Sequence, residues 1–139
     1  PQKCISYWTI ESRQIPPENI RSFFGDWLFG CDLCQTVCPW NQKVYKKKIT
    51  FEHSKFQSKI DDEKLSEELS LLLTWSGKKI SRWMQGTPLA RAGSFGLRRN
   101  ALIVIANRKL KKLKPEVEAW LKDPRLGDLA KWTITKIEN

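Results

Sequence analysis

The chain has 139 residues, 40% of them hydrophobic, with seven tryptophans and a formal net charge of +10. That length suits one domain or a domain with a small companion, the apolar content excludes a disordered polymer, and no apolar run approaches the roughly 18 residues of a membrane span. The charge is uneven: residues 73–139 carry fifteen basic against five acidic side chains, whereas 49–72 carry three against six, and a basic domain of this kind suits either a polyanion or a plain solubilising surface.

Residues 1–48 hold all four cysteines, punctuated by Gly25, Gly30, Pro16, Pro17 and Pro39. Within them, 4–11 (CISYWTIE) reads as a short strand or a short helix, and periodicity does not decide. Lys46, Lys47 and Lys48 mark an exposed boundary. Residues 49–72 begin irregularly; Asp61 is then a helix N-cap with acids in the first turn, and Leu65, Leu69, Leu72 and Leu73 recur at helical spacing. From Thr74 the chain reads as helix with short breaks. Thr87-Pro88 is an N-cap with proline at the first helical position, Gly93 and Gly96 interrupt, and 97–107 forms a nearly all-apolar helix behind a basic start. Pro115 opens another helix through Trp120 and Leu121, Asp123-Pro124 turns, and 127–138 closes the chain as a last helix. Tight helix pairs suggest a helical repeat, with Trp75, Trp83, Trp120 and Trp132 in its core.

Cys31, Cys34 and Cys38 stand as C-x2-C-x3-C followed at once by Pro39, the last part of the bacterial ferredoxin run. In two-cluster ferredoxins the cysteine before proline serves the other cluster. By that logic Cys31 and Cys34 bind one 4Fe–4S cluster, Cys4 is available as a third ligand, and Cys38 points to a second cluster. Both sets are incomplete, and the chain opens on Pro1 rather than Met, so we read it as a piece of a longer protein whose missing ligands lie upstream. Other chemistries stay open at this level: four cysteines can make a zinc site, disulfides, or inert thiols. His53 is the lone histidine and receives no role.

The words around the cysteines narrow the choice. Residues 4–11 (CISYWTIE), Ile15-Pro16, Arg21, and residues 30–41 (GCDLCQTVCPWN) resemble the second ferredoxin-like motif of epoxyqueuosine reductases. Residues 85–100 (QGTPLARAGSFGLRRN) are similar to that family's approach to its helical-repeat domain. The resemblance implies a mostly α chain: the C-terminal half of a ferredoxin-like double 4Fe–4S domain at 1–48, a connecting acidic helix at 49–72, and a basic HEAT-like repeat domain contacting tRNA at 73–139. It implies reduction of epoxyqueuosine to queuosine at the wobble position of tRNA, with cobalamin at the reacting centre and two 4Fe–4S clusters feeding it electrons. Cys4, Cys31 and Cys34 are then ligands of the cluster nearer the cobalamin and Cys38 of the more distant one, and Ser6, Cys31 and Asp32 line the cobalamin. The family's catalytic aspartate belongs to an upstream domain, so no catalytic residue is expected here and the piece alone should be inactive.

Within that frame Arg91, Arg98 and Arg99, at the start of the 97–107 helix, are candidate phosphate contacts. Tyr7, Trp8 and Glu11 follow a cluster ligand and are candidates for facing the tRNA base, although Trp8 also reads as core. Arg108, Lys109, Lys111, Lys112 and Lys114 read as a solvated turn. The partner is a tRNA anticodon stem-loop; the electron donor is open, no membrane is involved, and a cytoplasmic monomer is expected. The rivals are a ferredoxin-type electron-transfer module, a zinc-stabilised RNA-binding module, and a cobalamin reductase acting on another substrate.

Overall fold

The computed structural model describes residues 2–46 and 61–139, with the side chains of 44–46 outside the description. Lys47 and Lys48, the irregular start of 49–72 and His53 therefore lie outside the described residues. Helices and turns make up all the regular structure among the described residues.

Residues 4–11 resolve as helix, not strand: a π-helical turn, Tyr7–Glu11, follows Cys4. Then come α1 (Glu18–Arg21), running into a 3₁₀ turn at Ser22–Phe24, α2 (Leu33–Thr36) and α3 (Pro39–Lys46). The second part holds α4 (Asp62–Thr74), α5 (Gly77–Met84), a 3₁₀ turn at Pro88–Arg91, α6 (Gly93–Arg108), α7 (Lys114–Glu118) and α8 (Gly127–Glu138). Asp61 caps α4 as expected, its carboxylate accepting the Lys64 N–H at 2.7 Å. Ser76 caps α5 in the same way.

Helix α6 is the axle of the molecule. Its residues 101–106 are buried on every side, as a helix apolar all round must be. α4 and α5 pack on one side of it, α8 on another, and the turns at Tyr7–Glu11 and Ser22–Phe24 complete the surround. Leu69, Leu72 and Leu73 of α4 and Leu129, Ala130 and Ile137 of α8 enter the same core as Trp8 and Phe24. Thr133 is the polar member of that layer and donates to Leu102 O at 3.0 Å, so its burial leaves no hydroxyl unsatisfied.

Four local expectations change. Gly93 and Gly96 do not interrupt: α6 starts at Gly93 and runs through both. Gly93 has φ +68° and turns the chain from the 3₁₀ segment into the helix, a conformation that costs glycine little. The helix after Pro115 ends at Glu118, before Trp120. Pro88 opens a single 3₁₀ turn, and the Thr87 hydroxyl points back to Met84 O at 2.7 Å instead of capping it. Trp83 is 52% exposed and does not belong to the core, while Trp75, Trp120 and Trp132 pack against it as partly buried rings. Helix α8 matches its expected span. Gly127 begins it where a Cβ would stand 2.6 Å from Leu121 O, so only glycine admits the close passage of the preceding turn.

Candidate functional site

The first functional word, CISYWTIE, is built around Thr9. Its hydroxyl donates to Ile5 O at 2.9 Å and accepts the Gly30 N–H at 3.1 Å. The turn that carries Cys4 is thereby tied to the loop that carries Cys31. Gly30 has φ +77°, which explains a glycine immediately before the cysteine. The second word, GCDLCQTVCPWN, then folds as two short helices. Cys34 lies on α2, and Cys38 directly precedes Pro39, the first residue of α3. Asn41 closes the corner by donating to Gln35 O at 3.1 Å and to Gln35 Oε1 at 2.9 Å.

These ties gather Cys4, Cys31 and Cys34 on the wall of one open cavity of about 1050 Å³, with Ser6, Tyr7 and Asp32 beside them. Cys38 is half-buried and does not line that cavity. All four thiols are free, and Cys4 and Cys34 are exposed. The Tyr7 N–H points at Cys4 Sγ at 3.5 Å. Among the described residues no three His, Cys, Asp or Glu side chains converge as they would on a single metal ion. A zinc site needs each sulfur about 2.3 Å from one centre. Three free thiols spread around a cavity fit a bulkier cubane, which takes cysteine thiolates as ligands. Ser6 and Asp32 line the same open cavity beside the thiols.

The candidate RNA contacts divide sharply. Tyr7 is on the cavity wall. Glu11 and Arg91 are exposed and pair with each other at 2.6 Å. Arg98 instead turns inward: its guanidinium donates to Leu72 O at 3.1 Å and to Trp75 O, and lies over the Trp120 ring, 4.7 Å from its centroid. Trp8 and Arg99 must be corrected. Trp8 is 7% exposed, with its indole N–H on Gln2 O at 2.7 Å, so neither ring face is open to a base. Arg99 is 0% exposed.

Arg99 is a clasp. It donates to Trp8 O, to Ser12 O at 2.7 Å and to Gln14 O at 2.9 Å, while Asn100 Oδ1 accepts from it at 2.9 and 3.0 Å. Burial, reinforced by nearby Arg13, lowers its pKa to about 10, so it remains cationic at neutral pH. Among the described residues no carboxylate pairs with it; the carbonyls of Trp8, Ser12 and Gln14 supply the negative field. Asn100 donates in turn to Thr9 O and Leu28 O, each at 2.8 Å. Arg13 reaches the opposite way, to Arg91 O at 2.6 Å and Ala92 O at 2.9 Å. Sequence reading missed this use of the Arg99-Asn100 pair; the available signal was an arginine and an asparagine side by side at the edge of an otherwise apolar helix.

Comparisons with known proteins follow the same lines. Residues 1–41 match the 4Fe-4S double cluster binding domain family, so the cysteine segment is of iron–sulfur type. The chain is 35% identical over 106 residues to the epoxyqueuosine reductase of Aliivibrio fischeri, covering 76% of this chain and 27% of that protein. It is 33% identical to the Escherichia coli enzyme of the same name, covering 76% and 26%. Among solved structures, an epoxyqueuosine reductase with an epoxyqueuosine-modified tRNA-Tyr stem loop superposes with a TM-score of 0.73 at 30% identity, over 99% of this chain and 36% of that one. The Bacillus subtilis enzyme superposes with a TM-score of 0.73 at 31% identity, over 98% and 36%. The chain thus spans between about a quarter and just over a third of the length of the proteins it matches. In sequence and in fold, it is related to the epoxyqueuosine reductases.

Proposed function

We propose that this chain is the cluster-binding and RNA-facing part of an oxidoreductase that reduces epoxyqueuosine to queuosine at the wobble position of a tRNA anticodon stem-loop. The observation that carries the reading is the gathering of Cys4, Cys31 and Cys34 on one cavity wall with Ser6, Tyr7 and Asp32. Cys4, Cys31 and Cys34 hold one 4Fe–4S cluster, Cys38 contributes to a second, and Ser6, Cys31 and Asp32 face a cobalamin. When bound, the clusters supply single electrons and the cobalamin supplies the metal centre that meets the substrate. Removing an epoxide oxygen as water takes two electrons and two protons, a demand that suits relayed one-electron carriers.

This chain's own residues hold and position. Thr9 and Gly30 keep the two cysteine-bearing turns in register, and Arg99 and Asn100 hold that pair against α6. Residues 1–48 serve as the cluster half, 49–72 as connection and 73–139 as the basic helical part. Tyr7 is retained as an RNA contact because it lines the cavity, and Glu11 and Arg91 because they are exposed. No helix of the described residues is long and apolar enough to cross a membrane. A cytoplasmic monomer working on tRNA is the setting we propose.

The test is nucleoside mass spectrometry of tRNA from a strain lacking the parent gene. Accumulated epoxyqueuosine, cleared by the intact gene and not by a Cys34→Ala version, is the expected result. The same variant, purified anaerobically, should carry less iron and acid-labile sulfide than the intact protein. Normal queuosine in the deletion strain, under conditions that exclude a second reductase, would overturn the substrate assignment.

A further inference from the structure

The corner between α4 and α5 carries a cleft that the cysteine site does not use. It has a volume of about 490 Å³ and is lined by Trp75, Ser76, Lys78, Lys79, Arg82 and Trp83. The two indoles meet edge to face, ring centroids 6.2 Å apart. Trp75 is held from behind, since Arg98 donates to its carbonyl and to Leu72 O, and Lys79 Nζ lies 4.0 Å from its ring centroid. Trp83 stays 52% exposed. The buried face of α5 is supplied by Ile80 and Met84, so the exposure of Trp83 is not the residue of a core that failed to close.

The charges point the same way. Lys78, Lys79 and Arg82 are exposed, none has an ion-pair partner among the described residues, and no acidic side chain lines the cleft. By contrast, Arg108, Lys112 and Lys114, which form the other basic cluster, are paired to Asp62, Glu63 and Glu138 at 2.5, 3.3 and 2.6 Å. A fixed, exposed indole flanked by unneutralised cations is the arrangement that receives an unpaired base between two phosphates: stacking is tolerant of sequence, and the cations track the backbone.

We infer that the Trp75–Trp83 cleft is a second RNA contact, in which an unpaired base stacks on Trp83 and the flanking phosphates meet Lys78 and Arg82. This rests on the tRNA reading above and adds to it a site remote in sequence from the cysteines. The planar indole faces favour RNA over an acidic peptide, which would satisfy the cations and leave Trp83 unused.

The test measures binding of a labelled tRNA anticodon stem-loop, and separately of single-stranded oligouridine, by fluorescence anisotropy over a salt series with the anaerobically purified full-length protein. Trp83→Leu should weaken binding about 5- to 100-fold, and Trp83→Phe should restore most of it, because a ring and not mere bulk is required. Lys78→Gln with Arg82→Gln should lower the slope of log affinity against log salt by about 1.4. Because these side chains are exposed, circular dichroism should match the parent protein for all three variants. If the parent protein binds RNA and the variants bind equally well with the same slope, the inference falls and the tRNA reading stands. If the parent protein binds no RNA, both fall. If polyglutamate, and not RNA, protects Trp83 from quenching by acrylamide, an acidic protein is the occupant and the inference is overturned.

Discussion

Residues 2–46 and residues 61–139 differ in what they leave exposed. The helical part closes on itself except at α5: α4, α6 and α8 bury leucines and isoleucines against one another, and Arg108, Lys112 and Lys114 are tied by ion pairs, while Trp83 stays exposed. The cysteine part does not close. It presents Phe23, Leu33, Val37 and Trp40, the last 77% exposed, together with free thiols at Cys4 and Cys34. Its interior is borrowed: Trp8 and Phe24 enter the α6 core, and its backbone carbonyls are satisfied by Arg99, Asn100 and Asn107. The lesson is that a segment whose side chains are committed to chemistry is stabilised from outside, by a neighbour that can spare buried polar groups.

Removing iron separates the two parts most strongly. The helical core draws on no cysteine, so hydrogen exchange on the iron-depleted protein should show α6 and α8 still protected and the Cys31–Cys38 segment near open-chain rates. Uniform loss of protection would mean that the core itself depends on the clusters, against the comparison drawn here. Arg99→Ala attacks the join. It strands the carbonyls of Trp8, Ser12 and Gln14 and empties a buried site, which should cost about 3–5 kcal/mol in urea unfolding; Arg99→Lys should recover only part, since one ammonium cannot reproduce a planar fork. A cost below about 1 kcal/mol would show that the join is made by apolar packing alone. Thr9→Val is the mildest probe. It keeps the shape and leaves the Gly30 N–H without its acceptor, a loss of about 1–3 kcal/mol, confined to the cysteine part and read as faster exchange at Gly30 with α8 unchanged.

The cysteine motif was legible because ligand spacing is a local property. Gly30, Cys31, Cys34, Cys38 and Pro39 do their work within one short stretch, and their chemistry follows from separation along the chain. The Asp61 cap and the 127–138 helix were legible for the same reason, since both depend on residues within a turn or two. Failures cluster where burial had to be guessed. Trp8 and Arg99 were offered to RNA, and both are inside; Trp83 was offered to the core, and it is outside. Local pattern names a residue's chemistry and cannot say which neighbour will cover it. Gly96 shows the same limit: a helix breaker by propensity, it sits within α6, where tertiary packing outweighs a cost of about 1 kcal/mol.

Sequence by itself determined the kind of chemistry, through four cysteines at ferredoxin spacing, and the family likeness, through two motif words in order. Only the tertiary structure decided which arginine is a clasp and which is free, and which indole is core and which is open. The reason is physical: helix caps and ligand spacings are settled within a few residues, whereas burial depends on which distant surfaces meet, and a charge or a ring acquires its role from what then surrounds it.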